Sequence, residues 1–322
     1  MTLPPHTDGT PWPAPDPAAD RVPNPAPDPV PAGRTSPAAG SASPESSAPW
    51  TTHTVTRDGV RLSCRDWGGP GRPGHTVVLL HGLAGHAGEW DTTARLLHSA
   101  GHRVVAVDQR GHGHSERLPE DTSRAAYVAD VVAVLDRLGL ERPVLAGQSL
   151  GGHTALLTAA AHPGLLGGLV LVEAGPAGSN PDVVREIGGW FDTWPVPFAS
   201  REAAVAFLGG GAVGEGWAAG LEERDGGLWP RFDPGVMLRS LAGSTDRSWW
   251  AEWEAVDCPT LVVVAEHGIV RAAEIDGMLH RRPDVRAASV PGAGHDVHLE
   301  RPRVLHRLLT DFLACLGALS NS

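Results

Sequence analysis

The chain has 322 residues, a net charge of −11 at neutral pH and three cysteines. An acidic balance argues against nucleic acid as the main partner, because the phosphate backbone attracts basic surfaces. No apolar stretch is long enough for a transmembrane helix, and no basic start precedes an apolar run as in a secretory signal. The three cysteines lie far apart, so neither a disulfide framework nor a zinc site is indicated. We therefore expect a reducing, cytoplasmic setting, with no membrane partner, no metal and no cofactor.

The first fifty residues differ in composition from the rest of the chain. They hold 14 of the 29 prolines, many of them at alternate positions. Proline lacks an amide donor and fixes φ, and the small or acidic residues between the prolines cannot bury enough apolar surface to offset the entropy of ordering. We predict that residues 1–50 form a disordered tail with polyproline II character. Residues 51–322 carry 32 acidic and 24 basic residues, and their length suits one sizeable folded unit.

Short apolar runs within residues 51–322 are typical of buried strands. Five of them stand out, at 76–80, 103–107, 143–147, 169–172 and 261–264. Helical periodicity lies between some of them and is clearest over 122–138, where Ser123 or Thr122 can cap the start and Gly139 can end the helix. This alternation predicts an α/β protein, with a mostly parallel sheet covered by helices on both faces.

The alternation stops after residue 174 and resumes near residue 258. The interval 175–257 is rich in glycine and carries seven of the eleven tryptophans. We predict that it is a mostly helical lid inserted into a core formed by residues 51–174 and 258–322. Its aromatic side chains either line an apolar pocket or pack the interior of the lid itself.

The segment AGQSLGGH at 146–153 carries the strongest functional signal. A predicted strand runs into Gly147-Gln148-Ser149-Leu150-Gly151, and a helix is expected to follow. This G-x-S-x-G pattern is that of a nucleophile elbow, in which small neighbours permit a sharp and strained turn at the serine. The Ser149 hydroxyl would then project beside a helix N-terminus, whose dipole favours developing negative charge.

A glycine-rich turn in LLHGLAGHAGEW, at 79–90, follows the first long apolar run. Such a turn can direct the backbone amide of Leu83 toward the serine. Together with the amide of Leu150, it would form an oxyanion hole, which stabilises the negative charge of a tetrahedral intermediate. The alternative is a strand-ending turn with a structural histidine.

The segment VPGAGHDVHLERP at 290–302 supplies a candidate general base. Imidazole has a pKa suited to proton transfer near neutral pH. His295 follows two glycines in a loop, from which it could reach Ser149. His298 is its rival, but its place at the start of a helix favours a structural role.

Together these segments resemble the α/β-hydrolase superfamily of serine hydrolases. DQRGHGHSE at 108–116 is similar to a loop of that family, where Asp108 matches a structural position. The resemblance implies an eight-stranded, mostly parallel sheet, with a lid inserted after the sixth strand. It also implies the chain order of nucleophile before histidine that Ser149 and His295 show.

The sequence departs from the family at the third member of the triad. The family usually places its acid shortly after the strand that follows the lid, but PTLVVVAEHG has Gly268 at that position. Three carboxylates could take the role. Glu173 ends the strand before the lid, where some haloalkane dehalogenases look similar, and it is the preferred candidate. Glu266 and Asp296 are the alternatives, although a neighbouring residue such as Asp296 rarely faces His295 well.

The resemblance implies a serine-nucleophile hydrolase that cleaves a small apolar ester, or a related carbonyl substrate, through an acyl-enzyme. Ser149, His295 and Glu173 would form the triad. A related alternative is cleavage of a carbon–carbon bond in a β-diketone-like substrate on the same triad. A further alternative, motivated by Gly268, is a ligand-binding homologue without turnover. Dehalogenation is disfavoured, because that chemistry uses a carboxylate nucleophile. The sequence names neither the substrate nor the oligomeric state.

Overall fold

A computed structural model of the chain describes residues 49–69, 74–178 and 182–319. The predicted tail therefore lies outside the described residues, apart from its last two positions. Eight strands form the main sheet, and two more form a separate hairpin. In the main sheet the strands are β1 (Thr51–Arg57), β2 (Val60–Asp66), β3 (Thr76–Leu80), β4 (Arg103–Val107), β5 (Val144–Gln148), β6 (Gly168–Val172), β9 (Thr260–Ala265) and β10 (Arg286–Val290).

The strand order is β1-β2-β4-β3-β5-β6-β9-β10. The first two strands are antiparallel to each other, and β2 is antiparallel to β4. The pairs from β4 through β10 are all parallel. Parallel strands that are covered on both faces become continuous apolar runs, and this accounts for the five runs seen in the sequence. The carboxyl ends of β5, β6 and β9 consequently lie side by side at one edge of the sheet.

Helices cover both faces of the sheet, as predicted. One apolar cluster packs α1 (Asp91–Ser99) and α11 (Pro302–Leu319) against the sheet. A second cluster, on the other face, includes side chains from α2 (Arg124–Arg137), α3 (Leu150–Ala161), α8 (Trp250–Ala255) and α9 (Ala272–Arg281). Ser123 caps α2, because its side chain accepts a hydrogen bond from the amide of Ala126. The predicted α/β class and eight-stranded sheet are confirmed.

The segment between β6 and β9 is mostly helical. It contains α4 (Val183–Asp192), α5 (Arg201–Phe207), α6 (Gly211–Ala218), α7 (Pro234–Thr245) and α8. It also contains a hairpin of β7 (Leu221–Arg224) and β8 (Gly227–Pro230), which was not among the predicted elements. The hairpin turns at Asp225-Gly226, where both φ angles are positive. Trp253 of α8 packs into the main core, so the limits 175–257 for the lid stay a prediction.

The lid has its own aromatic cluster. Its buried members include Phe191, Trp194, Phe198 and Phe232, and Ala84 from the turn after β3 packs against them. The tryptophans of the lid therefore serve in part as its internal core, which was one of the two expected roles. Within the described ranges, no helix is long and apolar enough to cross a bilayer.

The last short helix, α10 (Val297–Glu300), precedes α11. It follows the loop that carries His295. The backbone amide of Gly294, in that loop, donates to both carboxylate oxygens of Glu300, at 3.0 and 2.9 Å. The end of α10 therefore holds the preceding loop in place.

Candidate active site

Ser149 lies between β5 and α3 in a strained backbone conformation, with φ 51° and ψ −117°. A positive φ is rare for residues other than glycine and persists only where the surroundings enforce it. The Ser149 amide donates to the carbonyl of Val172 at the end of β6, at 3.0 Å. The turn is thus attached to the neighbouring strand, and the serine precedes the first residue of a twelve-residue helix.

Close backbone contacts explain the glycines around Ser149. A Cβ on Gly147 would lie 2.2 Å from the carbonyl oxygen of Gly151. A Cβ on Gly151 would lie 2.4 Å from the carbonyl oxygen of His81, in the turn after β3. Since backbone atoms cannot move aside as a flexible side chain can, only glycine fits at these two positions. The elbow and the turn after β3 are therefore in direct contact.

His81 holds the turn after β3 in a defined orientation. Its side chain is fully buried, and burial lowers its pKa to about 3, so the ring is neutral near pH 7. Its Nε2 accepts from the amide of Gln109 at 3.0 Å, so Nδ1 carries the proton and donates to the carbonyl of Gly82 at 2.7 Å. That carbonyl belongs to the same planar peptide as the Leu83 amide, and the two groups point in opposite directions. Fixing the carbonyl therefore fixes the direction of the Leu83 N–H.

The two predicted oxyanion donors belong to turns that contact each other, and neither amide has a hydrogen-bond partner among the described residues. A Cβ on Gly82 would lie 3.4 Å from Cβ of Ser149, which brings the peptide before Leu83 close to the elbow. Leu150 is the first residue of α3, where an amide has no partner within the helix. Among the hydrogen bonds of the described residues, none uses the amide of Leu83 or of Leu150.

His295 lies in the loop between β10 and α10, with its side chain one-third exposed. The side-chain amide of Gln148, the residue before the serine, donates to the backbone carbonyl of His295 at 3.1 Å. This bond ties the histidine loop to the elbow. In the described part of the chain no hydrogen bond joins the Ser149 hydroxyl to the ring of His295. Such bonds are often long before a substrate binds.

The side chain of Glu173 is fully buried, and its carboxylate faces His295. Its Oε2 lies 3.4 Å from Nδ1 of that ring. The same carboxylate accepts the backbone amides of Ala265 at 2.6 Å and Ile269 at 2.7 Å, which come from the end of β9 and the following turn. Glu173 itself has φ 50°, and its amide donates to Val263 at 2.9 Å. Backbone bonds thus fix the carboxylate beside Nδ1 of His295, and among the described residues Nε2 of that ring has no hydrogen-bond partner.

Gly268 accommodates that carboxylate. A Cβ at this position would lie 2.1 to 2.3 Å from the three atoms of the Glu173 carboxyl group. Any side chain at 268 would therefore collide with Glu173 in its present position. Glu173 at the end of β6 consequently requires a glycine at position 268, which accounts for the departure from the family pattern there.

The alternative acids contact other groups. Glu266 is exposed, and its carboxylate accepts the backbone amide of Gly292 at 2.8 Å. Asp296 accepts the indole N–H of Trp217 at 3.3 Å, which links the histidine loop to α6 of the lid. Neither carboxylate is hydrogen-bonded to His295 among the described residues. Glu266 therefore braces the loop that carries the histidine.

His298, the rival base, lies in a separate buried cluster. Its ring is 4.7 Å from that of Trp90 between centroids, and its Nε2 is 3.3 Å from a carboxylate oxygen of Glu89. Burial lowers the pKa of His298 to about 4 and raises that of Glu89 to about 8. Near pH 7 both groups are therefore neutral, and the pair packs behind the turn that carries Leu83.

Asp108 also has contacts that suit a structural role. Its two carboxylate oxygens accept the amides of Ala87 at 2.7 Å and His114 at 3.0 Å. The carboxylate thus joins the turn after β3 to the loop after β4. The sequence did not predict that Gln148 and Glu300 would hold the loop of His295, because no motif assigns a function to the side chain at either position.

Comparisons with known proteins agree with this architecture. The family described as alpha/beta hydrolase fold matches residues 75–205. A sn-1-specific diacylglycerol lipase of Mus musculus is 30% identical to this chain over 250 residues, which cover 74% of this chain and 80% of the lipase. The chain belongs to the α/β-hydrolase family. A monoglyceride lipase of Homo sapiens is 37% identical to this α/β-hydrolase over 125 residues, covering 37% of the chain and 41% of the lipase.

Solved structures extend the likeness of this α/β-hydrolase to most of its length. An E-2-(acetamidomethylene)succinate hydrolase superposes with a TM-score of 0.74 and 23% identity, covering 82% of this chain and 99% of its own. Because the family relatives carry the names of lipases and hydrolases, the predicted enzyme class is confirmed, and the protein is a hydrolase.

Proposed function

We propose that this hydrolase cleaves a small apolar ester, or a related carbonyl compound, through an acyl-enzyme formed on Ser149. One observation carries the proposal. The buried Glu173 carboxylate lies 3.4 Å from Nδ1 of His295, and the loop of that histidine is bonded to the residue before Ser149. These two contacts support the order of nucleophile, base and orienting acid that acyl transfer requires.

In the first half of the reaction, the Ser149 hydroxyl attacks the ester carbonyl while Nε2 of His295 takes its proton. The carbonyl oxygen becomes an oxyanion that accepts hydrogen bonds from the amides of Leu83 and Leu150. These amides are already oriented, so they stabilise the new charge without reorganisation. The intermediate collapses, the bond to the leaving alkoxide breaks, and His295 returns its proton to form the alcohol.

In the second half, water attacks the acyl-enzyme while His295 takes a proton from it. Collapse of the second oxyanion breaks the bond to Ser149, which regains its proton, and the carboxylic acid leaves. Throughout, Glu173 accepts from Nδ1–H and stabilises the imidazolium form. It keeps the ring in the tautomer that leaves Nε2 free.

The alternative of a ligand-binding homologue without turnover no longer has an observation in its favour. Gly268 suggested that the acid was missing, yet the space beside it is filled by the carboxyl group of Glu173. A protein that had lost turnover would have no reason to keep a strained serine, a fixed buried carboxylate and two free amides together. The expected reducing, cytoplasmic compartment stays a prediction.

An active-site-directed fluorophosphonate tests the proposal. It should add one phosphonyl group per chain, located at Ser149 by mass spectrometry, and Ser149→Ala should not react. Hydrolysis of p-nitrophenyl butyrate should show a burst of one p-nitrophenol per chain and should vanish in the same variant. Folded wild-type protein that neither reacts nor turns over would overturn the proposal. Hydrolysis that survives in Ser149→Ala would place the chemistry elsewhere.

A further inference from the structure

Arg124 is a buried cation with no acidic partner. It is the first residue of α2 and is only 5% exposed, yet in the described part of the chain no carboxylate lies within ion-pair distance of it. Its Nε and Nη1 atoms also have no hydrogen-bond acceptor. Arg110, which is equally buried, forms an ion pair with Asp130. A buried charge is costly unless it is paired, so the isolation of Arg124 requires an explanation.

The guanidinium of Arg124 lies beside the nucleophile helix and beneath the lid. Its Nη2 donates to the carbonyl of Leu150 at 3.4 Å and to the hydroxyl of Thr154. Leu150 directly follows Ser149 and supplies one of the proposed oxyanion amides. A Cβ on Gly243, in α7 of the lid, would lie 3.6 Å from Cγ of Arg124. The cation is therefore at the junction of core and lid, and it contacts the residue that directly follows Ser149.

Other contacts stabilise the cation without neutralising it. The centre of the guanidinium lies 4.4 Å from the ring centroid of Tyr127, which is a cation–π contact. Burial lowers the pKa of Arg124 to about 10, so the side chain remains charged near pH 7. The Nε and Nη1 atoms together carry three N–H groups, and none of the three has an acceptor.

His153 adds a second unpartnered group at the same junction. It lies one helical turn after Ser149 in α3, is 7% exposed, and neither ring nitrogen has a hydrogen-bond partner. Burial lowers its pKa well below 6.5, and the charges of Arg124 and Arg247 lower it further. The neutral ring offers one N–H donor, and it packs against Trp249 in a T-shaped contact with 4.9 Å between ring centroids.

Arg124 also borders a groove of about 790 Å³ between α2, α3 and α8. The groove is mostly apolar, and the carboxylate of Glu252, which lines it, is already paired with Arg247. No residue of the proposed triad or oxyanion hole lines this groove, so a substrate bound to Ser149 would approach Arg124 from the junction with the lid instead. A carboxylate on the substrate would supply the hydrogen-bond acceptors that Nε and Nη1 of Arg124 lack.

We propose that Arg124 binds a carboxylate group of the substrate, with His153 as a second donor, so that the preferred ester carries one carboxylate on an otherwise apolar frame. The inference rests on the proposed ester hydrolysis at Ser149. An incoming carboxylate would pair the buried charge and give acceptors to N–H groups that otherwise have none. Neutral esters would leave these groups unpaired.

A series of matched ethyl esters tests the inference by pH-stat titration. Monoethyl succinate, glutarate and adipate are compared with ethyl butyrate, valerate and hexanoate, which have the same numbers of acyl carbons. At one chain length or more, kcat/KM should be about 10- to 100-fold higher for the acidic ester, since hydrogen bonds to charged groups have that magnitude. Arg124→Met should lower this ratio to about 1 or below. Arg247→Met, which removes a nearby exposed arginine, should keep the wild-type ratio.

Wild-type protein supplies a second measurement if Arg124→Met does not fold. Glutarate or adipate should inhibit ethyl valerate hydrolysis competitively, whereas 1,5-pentanediol should not. Equal or higher kcat/KM for neutral esters at all three lengths would overturn the carboxylate site and leave ester hydrolysis intact. Noncompetitive inhibition would also overturn it, because the anion would then bind elsewhere. If no ester is hydrolysed and Ser149 is not labelled, the proposed function itself is wrong.

Discussion

Replacement of Glu173 by glutamine should abolish most of the turnover while the protein still folds. The carboxylate accepts two backbone amides, from Ala265 at 2.6 Å and Ile269 at 2.7 Å, and it also faces His295. Glutamine keeps the size of the side chain but has one acceptor oxygen. One buried amide would therefore lose its acceptor and face an NH₂ group, which costs about 1–3 kcal/mol of folding free energy. That is a fraction of the 5–15 kcal/mol typical of a folded protein.

The catalytic effect should be much larger than the effect on folding. An NH₂ group directed at Nδ1 favours the wrong imidazole tautomer and no longer stabilises the imidazolium. In the best-studied triad the equivalent change lowers turnover by about 10⁴. At about 1.4 kcal/mol for each factor of ten, this corresponds to roughly 5 kcal/mol of barrier. Because the contact with His295 is long, we expect a fall in kcat of about 10³ to 10⁴ for Glu173→Gln.

Steady-state hydrolysis of p-nitrophenyl butyrate measures this effect, and thermal unfolding checks that the variant is folded. Glu266→Gln is the matched control, because it removes an exposed carboxylate that braces Gly292. Its kcat should change by less than about threefold, as is usual for a surface substitution. If folded Glu173→Gln keeps more than roughly a tenth of the wild-type kcat, the assigned acid is wrong. If Glu266→Gln is the crippled variant instead, the acid lies after β9.

Three further predictions concern space and charge around the site. Gly268→Asp alone should be less stable than the wild type, because the new side chain collides with Glu173. The double variant Glu173→Gly, Gly268→Asp should be at least about tenfold more active than Glu173→Gly, because moving the acid to position 268 restores part of the orienting effect on His295. Thermal unfolding and kcat of the three variants measure this, and a double variant no better than Glu173→Gly would contradict it. Gly151→Ala, which meets backbone oxygens, should lose about 1–3 kcal/mol of stability in urea unfolding. Gly82→Ala meets the movable Gln148 amide 2.2 Å away, so it should lose activity with a smaller loss of stability. Equal stability losses would refute that distinction.

Stability should also fall as the pH decreases from 6.5 toward 3. Burial lowers the pKa of His112 to about 3 in the folded protein, while the unfolded chain takes up the proton near 6.5. The unfolded state therefore binds more protons throughout this window, and each such histidine lowers the free energy of unfolding by about 1.4 kcal/mol per pH unit. His112→Asn should reduce the slope of stability against pH by about that amount, measured by urea unfolding between pH 4.5 and 8. An unchanged slope would show that His112 is not held neutral.

The sequence predicted the inner strands well and the outer ones poorly. The runs 76–80 and 103–107 coincide with β3 and β4, because strands buried on both faces are apolar at nearly every position. In contrast, β1 reads TTHTVTR and is mostly exposed, so it lacks the continuous apolar run by which the inner strands were recognised. The lid hairpin did carry a signal, the Asp225-Gly226 pair, but its charged flanks hid the strands.

Within the site, motif spacing identified Ser149 and His295 as candidates, since both lie beside glycines that the backbone requires. The choice between Glu173 and Glu266 could not be made from spacing, because it depends on which carboxylate occupies the space beside Gly268. That space is formed by the packing of β6 against β9. Arg124 had no sequence signal at all, since an arginine at the start of a helix is ordinary until its burial and its missing partner are known.

The position of Glu173 at the end of β6 divides the proposed triad into a rigid part and a movable part. Ser149 and Glu173 follow adjacent parallel strands, and the amide of Ser149 is bonded to Val172, the residue before the acid. The sheet itself therefore sets the distance between Ser149 and Glu173, and the helices between β6 and β9 begin only after both residues. Only His295 is carried by a loop. Motion of that loop would move His295 toward or away from Ser149 and Glu173, which stay fixed. Motion of the lid would have the same effect through the hydrogen bond from Trp217 to Asp296.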